Sequence, residues 1–503
     1  MVVRNAAGRL GMRVWAGCAA AALCMGARGQ IPDQYPKPLI HTPTDHPAAR
    51  VLLLSVDGLH AVDLANWVAG HPKSALAELT KRGVTYTNAH TPAAYPVAGL
   101  VSLVTGGTPI STGIVSDDGF DRALGPPDPS CQLHGVAMKL DGTMDTIDAS
   151  GASGLDSLKY PRDAERGCAP VAPHALVRVN TMFEVVHTKI GPTAWIGESA
   201  TATDLLRGPS GLGIDDSCGV EHVKRAEPGV RGAQDADEVR VASVLHWIDA
   251  KDCSGKLDFQ VPAMFGMSFA SVAVAQATAG MGYVDAVGTP SSGLAKSLAY
   301  VDEAIGRMVT LLKKKELYDS TWIVVTAPYG QSPMDQRRIQ RISLDQVQTV
   351  AEGVKGVQVA HISGGDVAMI WLNNSARTAA VVRALGDQAA ALGIQDVYSG
   401  ARLALTLNPP AKDSRMPDIL LQPQLGVLWG ATNSTALAGY GGLSDEDTHV
   451  ALLVSGAQLA GRSDPTWAPT TQLAPLLLRA LGMEKFDLDA LHQEHSPALP
   501  GIF

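Results

Sequence analysis

The sequence contains few cysteines, few aromatic residues and no excess of positive charge. Only 6 of its 503 residues are cysteine, 5% are aromatic, and the formal net charge at pH 7 is −9. An acidic chain does not attract nucleic acid through its overall field, because the phosphates are repelled. With 46% apolar and 18% charged residues, the composition is that of a globular protein, and we expect no nucleic-acid partner.

The chain also lacks a transmembrane span, internal repeats and a Gly-rich nucleotide-binding loop. The apolar run at residues 14–25 has 12 residues, which is too few to cross a bilayer. Three arginines precede this run, and residues 27–29 resemble a peptidase cleavage site. This order predicts a secretory signal peptide over residues 1–29, and hence an exported protein, periplasmic or secreted, without stable membrane insertion.

Four cysteines remain after the predicted signal peptide: Cys131, Cys168, Cys218 and Cys253. An even number in an oxidising compartment predicts two disulfides. Pairing Cys131 with Cys168 and Cys218 with Cys253 is the simplest arrangement, although the count alone leaves the connectivity open. None of the four is spaced as a zinc site.

Short apolar strands alternate with amphipathic helices along the rest of the sequence. The strand at residues 50–56 is followed by others that include 321–326 and 449–455, and the longest helical pattern covers 291–315. This alternation predicts an α/β fold, a layered domain with a central, mostly parallel sheet flanked by helices. We assign residues 30–503 to this single domain, with an irregular, cap-like insertion at about 117–256.

The first strand organises the predicted site. It reads RVLLLSVDG at residues 50–58 and delivers Asp57 onto a glycine. Ligands of open α/β sheets lie beyond the carboxyl ends of the strands, so Asp57 marks the beginning of a metal or phosphate site. A buried aspartate without a partner is costly, and we therefore expect a cation or a hydrogen-bond cluster to face it.

Several motifs occur in an order that resembles a known family. They are VDG at 56–58, YPVAGLVSLVTGG at 95–107, VVTAPYGQSP at 324–333, GYGG at 439–442 and QLAPLLLRALG at 472–482. The set resembles the alkaline phosphatase superfamily and, within it, the type I phosphodiesterase/nucleotide pyrophosphatase family. The resemblance implies an alkaline-phosphatase-like fold, a small-molecule phosphate ester as ligand, and two divalent ions, usually zinc, at the reaction centre.

The nucleophile position of the family is substituted. The resemblance places a Thr or Ser nucleophile at position 94, where this chain has Ala94. Alanine has no oxygen to attack phosphorus and cannot cap the helix that follows. An asparagine of the family corresponds to Val97, or to a position near it, and valine cannot donate a hydrogen bond to phosphate.

Most of the metal-ligand positions are substituted as well. Asp57 matches the first aspartate of the family, but the Asp-His pair after a later strand reads Pro328-Tyr329 and the late histidine is Tyr440. The Asp-x-x-x-His pair expected within residues 265–292 is absent. One ligand of six is retained, so we expect no zinc pair; a phenol, with a pKa of about 10, is a weak zinc ligand at pH 7.

The resemblance thus predicts the fold of an esterase with its reaction centre dismantled, that is, a pseudoenzyme or a binding protein. Tyr95, Tyr329 and Tyr440 are expected to converge near Asp57. They either form a neutral hydrogen-bonding pocket or fill the volume that metal ions and imidazoles occupy in the family.

The alternative is an active metal-dependent hydrolase of phosphoric or sulfuric esters with a rearranged site. Thr91 is then the substitute nucleophile, drawn to the helix dipole, although it is equally an ordinary loop residue. His449, with Asp445 and Asp447, offers alternative metal ligands, although the same residues also read as a polar turn before a strand.

Overall fold

The computed structural model describes residues 46–147, 153–219 and 229–503. The predicted signal peptide at residues 1–29 lies outside these ranges. None of the helices in the described part of the chain combines the length and the apolarity that a bilayer crossing requires.

A seven-stranded sheet forms the centre of the fold. Its pairings are parallel except for the two made by the strand Leu452–Ser455, which runs against both of its neighbours. The predicted mostly parallel sheet is therefore confirmed. In spatial order the strands are Thr193–Ile196, Met264–Phe269, Arg50–Val56, Thr321–Thr326, Leu452–Ser455, Gly83–Tyr86 and Arg462–Asp464.

The strand Arg50–Val56 lies in the middle of the sheet and is buried on both faces. Val51 and Leu53 pack into one hydrophobic core, whereas Leu52 and Leu54 pack into the core on the opposite face. A parallel strand covered on both sides needs apolar side chains at consecutive positions, which explains the continuous apolar run in the sequence.

Helices cover both faces of this sheet. The longest, Ser292–Lys314, is capped by Ser291, whose hydroxyl accepts the backbone N–H groups of Gly293 and Leu294. The helices of the described ranges are Ala61–Gly70, Ala75–Thr80, Pro96–Thr105, Pro109–Thr112, Met182–Lys189, Ala200–Leu206, Val230–Ile248, Ser271–Ala277, Ser292–Lys314, Leu344–Glu352, Thr378–Asp387, Gly400–Leu403, Asp445–Thr448, Leu473–Ala480 and Asp489–Glu494.

Smaller sheets surround the central one. An antiparallel four-stranded sheet consists of Val359–Ser363, Ala368–Leu372, Ile419–Pro423 and Ile394–Ser399, and Gln340–Ser343 pairs in parallel with Val427–Gly430. A three-stranded sheet consists of His449–Val450, Ala89–His90 and Ala468–Pro469. The predicted strand at 449–455 is therefore two strands, interrupted at Ala451, that belong to different sheets.

The predicted insertion at about 117–256 is partly irregular and partly integral to the sheet. It contains three two-stranded ribbons, Asp118–Asp121 with Val136–Lys139, Asp145–Ile147 with Ser153–Leu155, and Arg162–Asp163 with Ala169–Pro170. It also supplies the edge strand Thr193–Ile196 of the central sheet. Disulfides join Cys131 to Cys168 and Cys218 to Cys253, which is the simplest pairing of the four cysteines.

Candidate functional site

The residues expected to converge at the carboxyl end of the first strand do so. The rings of Tyr329 and Tyr440 have centroids 5.1 Å apart, and those of Tyr95 and Tyr440 are 5.9 Å apart. Ala94 is buried in contact with Tyr329 and Ala273. The negative charge of Asp57 contributes to raising the pKa of Tyr329, after the larger effect of burial, which places these side chains around one centre.

Asp57 lies at the tip of the first strand, only 4% exposed. Its carboxyl group shares a hydrogen bond with the carboxyl group of Glu198, which follows the edge strand Thr193–Ile196, two strands away from the first strand in the sheet. Burial raises the pKa of Asp57 well above its usual range, and the charge and hydrogen bond of Glu198 raise it further. Asp57 therefore holds its proton more tightly than an aspartate at the surface does.

A buried arginine supplies the positive charge of this centre. Arg240, on the helix Val230–Ile248, is 2% exposed and forms an ion pair of 2.6 Å with Asp237, one turn earlier on the same helix. Its charge acts to lower the pKa of Asp57, and it also interacts with Glu198. The cation expected opposite Asp57 is thus a guanidinium from this chain.

Asp237 connects the arginine to the strand next to the first strand. Its carboxylate accepts the backbone N–H groups of Ala270 at 2.9 Å and Ser271 at 3.0 Å, directly after the strand Met264–Phe269. The resemblance places the ligands of the second metal in this part of the chain. In this chain the backbone of that stretch binds the Asp237 carboxylate, which is paired with Arg240.

A second carboxylate lies at the N-terminus of the helix Pro96–Thr105. Asp117 accepts the backbone N–H groups of Val97 and Ala98, each at 3.1 Å. The amide ends of helices attract anions, and in this chain the anion is a side chain. Burial raises the pKa of Asp117 to about 7, despite the two N–H groups that favour its charged form.

The hydroxyl group of Thr91 forms a hydrogen bond within its own loop. Its Oγ1 donates to the carbonyl oxygen of Ala93 at 3.2 Å, and its backbone N–H donates to the carbonyl of Thr448 at 3.0 Å. Both bonds hold the loop before the Pro96–Thr105 helix. This is the geometry of a loop residue, and Thr91 as a substitute nucleophile stays a prediction without a structural partner.

Two further buried acids lie beside Tyr440. Asp366 and Asp447 share a hydrogen bond between their carboxyl groups, while Ser332 donates to Asp366 at 3.0 Å and Ser444 donates to Asp447 at 2.5 Å. Burial raises the pKa of Asp447 to about 6, and burial and the charge of Asp447 raise that of Asp366 well above its usual range. Asp447 is therefore engaged with Asp366, apart from Asp445 and His449.

Asp445 and His449 lie close together, but at a different place from Asp57. The Nδ1 atom of His449 is 3.4 Å from the Asp445 carboxylate, and the ring of His449 stacks on that of His90 at a centroid distance of 4.7 Å. The charged groups that act most strongly on Asp57 are instead Glu198, Arg240 and Asp237.

The donor set around Asp57 does not fit a pair of zinc ions. Zinc in proteins takes imidazole, thiolate and carboxylate ligands, and the charged neighbours of Asp57 are two acids and a guanidinium. His60, the histidine nearest to Asp57 in the sequence, has both ring nitrogens engaged: Nδ1 is 2.8 Å from the Tyr283 hydroxyl and Nε2 is 2.8 Å from the Glu446 carbonyl oxygen. A permanently charged guanidinium would also repel a divalent cation.

Sequence reasoning missed Glu198, Arg240, Asp237, Asp117 and Asp366. Glu198 gave the clearest signal, because it closely follows a buried strand, as Asp57 does at the end of the first strand. The spacing of Asp237 and Arg240 places them on the same side of a helix, but it does not show which side is buried.

The charge state of Asp117 leads to a prediction about stability. A buried carboxyl group with a folded-state pKa of about 7 holds its proton more tightly than in the unfolded chain, where the pKa is about 3.9. This contribution to stability is complete below pH 4 and is lost as the pH rises towards 7. Between pH 5 and pH 8 we expect wild-type protein to lose about 2–3 kcal/mol more of its free energy of unfolding than Asp117→Asn, measured by urea denaturation.

Asp128→Asn is the matched control. Asp128 is a loop carboxylate whose pKa is lowered by hydrogen bonds from Ser130, so it is ionised in both the folded and the unfolded state between pH 5 and pH 8 and should leave the pH dependence in that range unchanged. The other buried acids are present in both proteins and cancel from the comparison. Identical pH profiles for wild type and Asp117→Asn would contradict the assigned role of Asp117.

The comparisons with known proteins agree with this architecture. The family model for type I phosphodiesterase/nucleotide pyrophosphatase matches residues 51–444. The comparison with curated proteins finds no match. The matched range begins within the first strand and contains every residue of the centre around Asp57 described above.

Solved structures of similar fold cover most of the chain. Murine ectonucleotide pyrophosphatase/phosphodiesterase 5 superposes with a TM-score of 0.56 at 17% identity, covering 87% of this chain and 96% of that chain. The human protein of the same name gives 0.56 at 18%, with 86% and 95% covered, and the alkaline phosphatase PafA gives 0.60 at 12%, with 87% and 96% covered. One matched structure is an inactive variant of the murine protein in complex with AMP. The similarity shows the fold.

Proposed function

This chain belongs to the type I phosphodiesterase/nucleotide pyrophosphatase family, and from that premise we propose that it is an exported, catalytically impaired member whose centre serves binding. The observation that carries the proposal is Ala94. The position of the nucleophile holds a methyl group, 3% exposed, packed against Tyr329 and Ala273. In-line attack on phosphorus requires a nucleophilic oxygen at this point, and alanine offers none.

The anion site at the helix N-terminus supports the same conclusion. A phosphate group would be expected to bind the free N–H groups at the start of the Pro96–Thr105 helix. Those of Val97 and Ala98 already donate to Asp117. An incoming phosphate would have to displace a buried carboxylate or lie beside it, and both arrangements are electrostatically unfavourable.

The balance of charges points in the same direction. Asp57, Glu198 and Asp237 surround one guanidinium, that of Arg240, which is already paired with Asp237 at 2.6 Å. An acid-rich centre favours neutral or cationic groups over a phosphate dianion. It does not provide the concentrated positive charge that stabilises a phosphoryl transition state.

A ligand would meet the parts of the centre that solvent reaches. These are the ring of Tyr440, 37% exposed, and the exposed side chain of Glu198. Burial raises the pKa of Tyr440, so its phenol is neutral and both donates and accepts hydrogen bonds. We propose as ligand a small-molecule phosphate ester or a related compound, held through its hydroxyl or amide groups with any phosphate group outside the acid-rich centre.

Export is part of the proposal. The predicted signal peptide at residues 1–29 and the two disulfides support a periplasmic or secreted protein. Disulfides persist in oxidising compartments and are rare in the cytosol of most organisms.

The test is hydrolysis of a phosphodiester. We expect purified protein to hydrolyse bis(p-nitrophenyl) phosphate no faster than buffer, with zinc, magnesium, manganese or calcium added, because neither a nucleophile nor a metal pair is in place. Release of p-nitrophenol, followed by absorbance, is the measurement. An active enzyme of the same family serves as the positive control.

A second candidate function is the rearranged, metal-dependent ester hydrolase. The hydrogen-bonded acids Asp57 and Glu198 favour it, because a deprotonated carboxylate pair is able to hold a hard cation. Metal-dependent turnover that Asp57→Ala abolishes would replace the first proposal with this one. Turnover that survives Asp57→Ala would contradict both, since it would not arise at this centre.

A further inference from the structure

A cluster of two histidines and an acid lies on the three-stranded sheet, outside the centre around Asp57. His90 and His449 are directly opposite each other in the antiparallel pair formed by Ala89–His90 and His449–Val450. Asp445, four residues before His449, places its carboxylate 3.4 Å from His449 Nδ1 and 4.0 Å from His90 Nε2. One nitrogen of each ring and one carboxylate oxygen lie within 4.8 Å of one another.

The hydrogen bonds of His449 fix its tautomer. Its Nε2 atom lies 2.9 Å from the carbonyl oxygen of Thr87, which only accepts hydrogen bonds. Nε2 therefore carries a proton, and Nδ1 is the ring nitrogen that faces Asp445. A histidine that donates one ring N–H to a backbone carbonyl and offers the other nitrogen is arranged as a metal ligand.

The hydrogen bonds of His90 lead to the same result. Its Nδ1 atom is 3.3 Å from Thr448 Oγ1, whose own hydroxyl donates to the carbonyl oxygen of Ser444 at 2.9 Å. Nδ1 is therefore placed to donate to Thr448, and Nε2 is the ring nitrogen that lies nearest to Asp445, at 4.0 Å.

A fourth acceptor faces the same space. The Oδ1 atom of Asn88 is 3.1 Å from His90 Nε2, while its amide nitrogen lies 3.4 Å from the carbonyl oxygen of Pro465. The Asn88 amide oxygen thus lies beside the two histidine rings and the Asp445 carboxylate.

We propose that His90, Asp445 and His449 bind one divalent transition-metal ion of the zinc class. Two imidazoles and a carboxylate are a donor set that zinc accepts, with bonds of about 2.0–2.2 Å. The 77% exposed side chain of Asp445 is free to move the short distance that such bonds require. None of these residues matches a ligand position of the family motifs, and Asp447 is not part of the set.

The ion would cross-link two loops. Asn88 and His90 lie before the loop that contains Ala94, while Asp445 and His449 flank the short helix Asp445–Thr448. Backbone bonds already join the same elements, from Thr91 N–H to the Thr448 carbonyl and from Gly330 N–H to the Asp447 carbonyl. The ion has a structural role here and raises stability by binding the folded state alone.

Zinc titration of protein stripped with chelator tests the site. We expect one zinc ion per chain by isothermal titration calorimetry at pH 7.5, with an accompanying rise in Tm. His449→Ala and Asp445→Asn should each weaken binding at least tenfold. The substitution at Asp445 concerns an exposed side chain, so the test does not depend on the folding of the histidine variant.

Two control variants locate the ion. His492→Ala removes an exposed histidine elsewhere and should leave zinc binding unchanged, as should Asp57→Asn. Absence of zinc binding, binding unaffected by both His449→Ala and Asp445→Asn, or binding abolished by Asp57→Asn would overturn the proposal. These outcomes are independent of ester hydrolysis, so the site and the proposed function fail separately.

Discussion

Replacing Arg240 by methionine is expected to lower the free energy of unfolding by about 3–5 kcal/mol at pH 8, the largest effect we predict for a single side chain. The guanidinium is the buried partner of Asp237 and also faces Asp57 and Glu198. Methionine of similar length fills much of the volume but leaves a buried carboxylate without a counter-ion. Urea denaturation with a refolding check is the measurement.

The loss should be smaller at pH 5 than at pH 8. Without the arginine, the nearby carboxyl groups hold their protons more tightly in the folded protein, and protonation at low pH removes the unpaired charge. The double variant Arg240→Met/Asp237→Asn should recover part of the loss, because it removes both charges of the pair.

Arg307→Met is the matched control. Arg307 pairs with Glu238, on the same helix as Arg240, at 2.7 Å, but the two side chains are 39% and 48% exposed. Exposed ion pairs contribute about 0–1 kcal/mol, so this variant should change stability only slightly. Equal losses for Arg240→Met and Arg307→Met would contradict the assignment of Arg240 as the buried cation of the centre.

Gly99→Ala is the second substitution expected to have a large effect. A Cβ atom at position 99 would overlap the carbonyl oxygen of Pro328 and lie 2.7 Å from that of Ala93. Both obstacles are backbone atoms and cannot rotate away, so the gain in helix propensity is outweighed. We expect a loss of about 3 kcal/mol, at the upper end of overpacking effects in cores, measured as the change in free energy of unfolding.

Gly306→Ala is the control, and it is expected to raise the free energy of unfolding rather than lower it. Gly306 lies within the helix Ser292–Lys314, and a Cβ atom there would meet Ala75 Cβ at 3.5 Å, an ordinary contact. Alanine should therefore stabilise the protein by about 0.5–1 kcal/mol. A neutral result for Gly99→Ala would show that the Pro96–Thr105 helix is not held against the Pro328 peptide as described.

The fold could be predicted from the sequence because its signals are local and occur in order. The apolar run from Arg50 to Val56 has the composition of a strand buried on both faces, and Ser291 precedes a long amphipathic pattern as a helix cap should. The boundary at Ala451 could not be predicted, because the change from one sheet to another leaves no trace in an unbroken apolar run.

The substituted positions of the site could also be predicted, because they are matched one by one to a motif. The charged residues that surround Asp57 in this chain could not be predicted. Asp117 and Arg240 reach the centre from separate elements, and only tertiary packing brings them to the helix end and to Asp57. Glu198 escaped detection because half-exposed acids after strands are common, and only its hydrogen bond with Asp57 distinguishes it.

The carboxylate of Asp117 at the helix amides has a consequence for the history of this chain. If the proposed function holds, putting a serine at position 94 restores no ester cleavage, because the helix amides already bind the Asp117 carboxylate and the Arg240 guanidinium is already paired with Asp237. Under that proposal, no single substitution at one of these positions restores the reaction. Ester cleavage would then return only through several simultaneous substitutions. The change of role would therefore not be readily reversed in evolution.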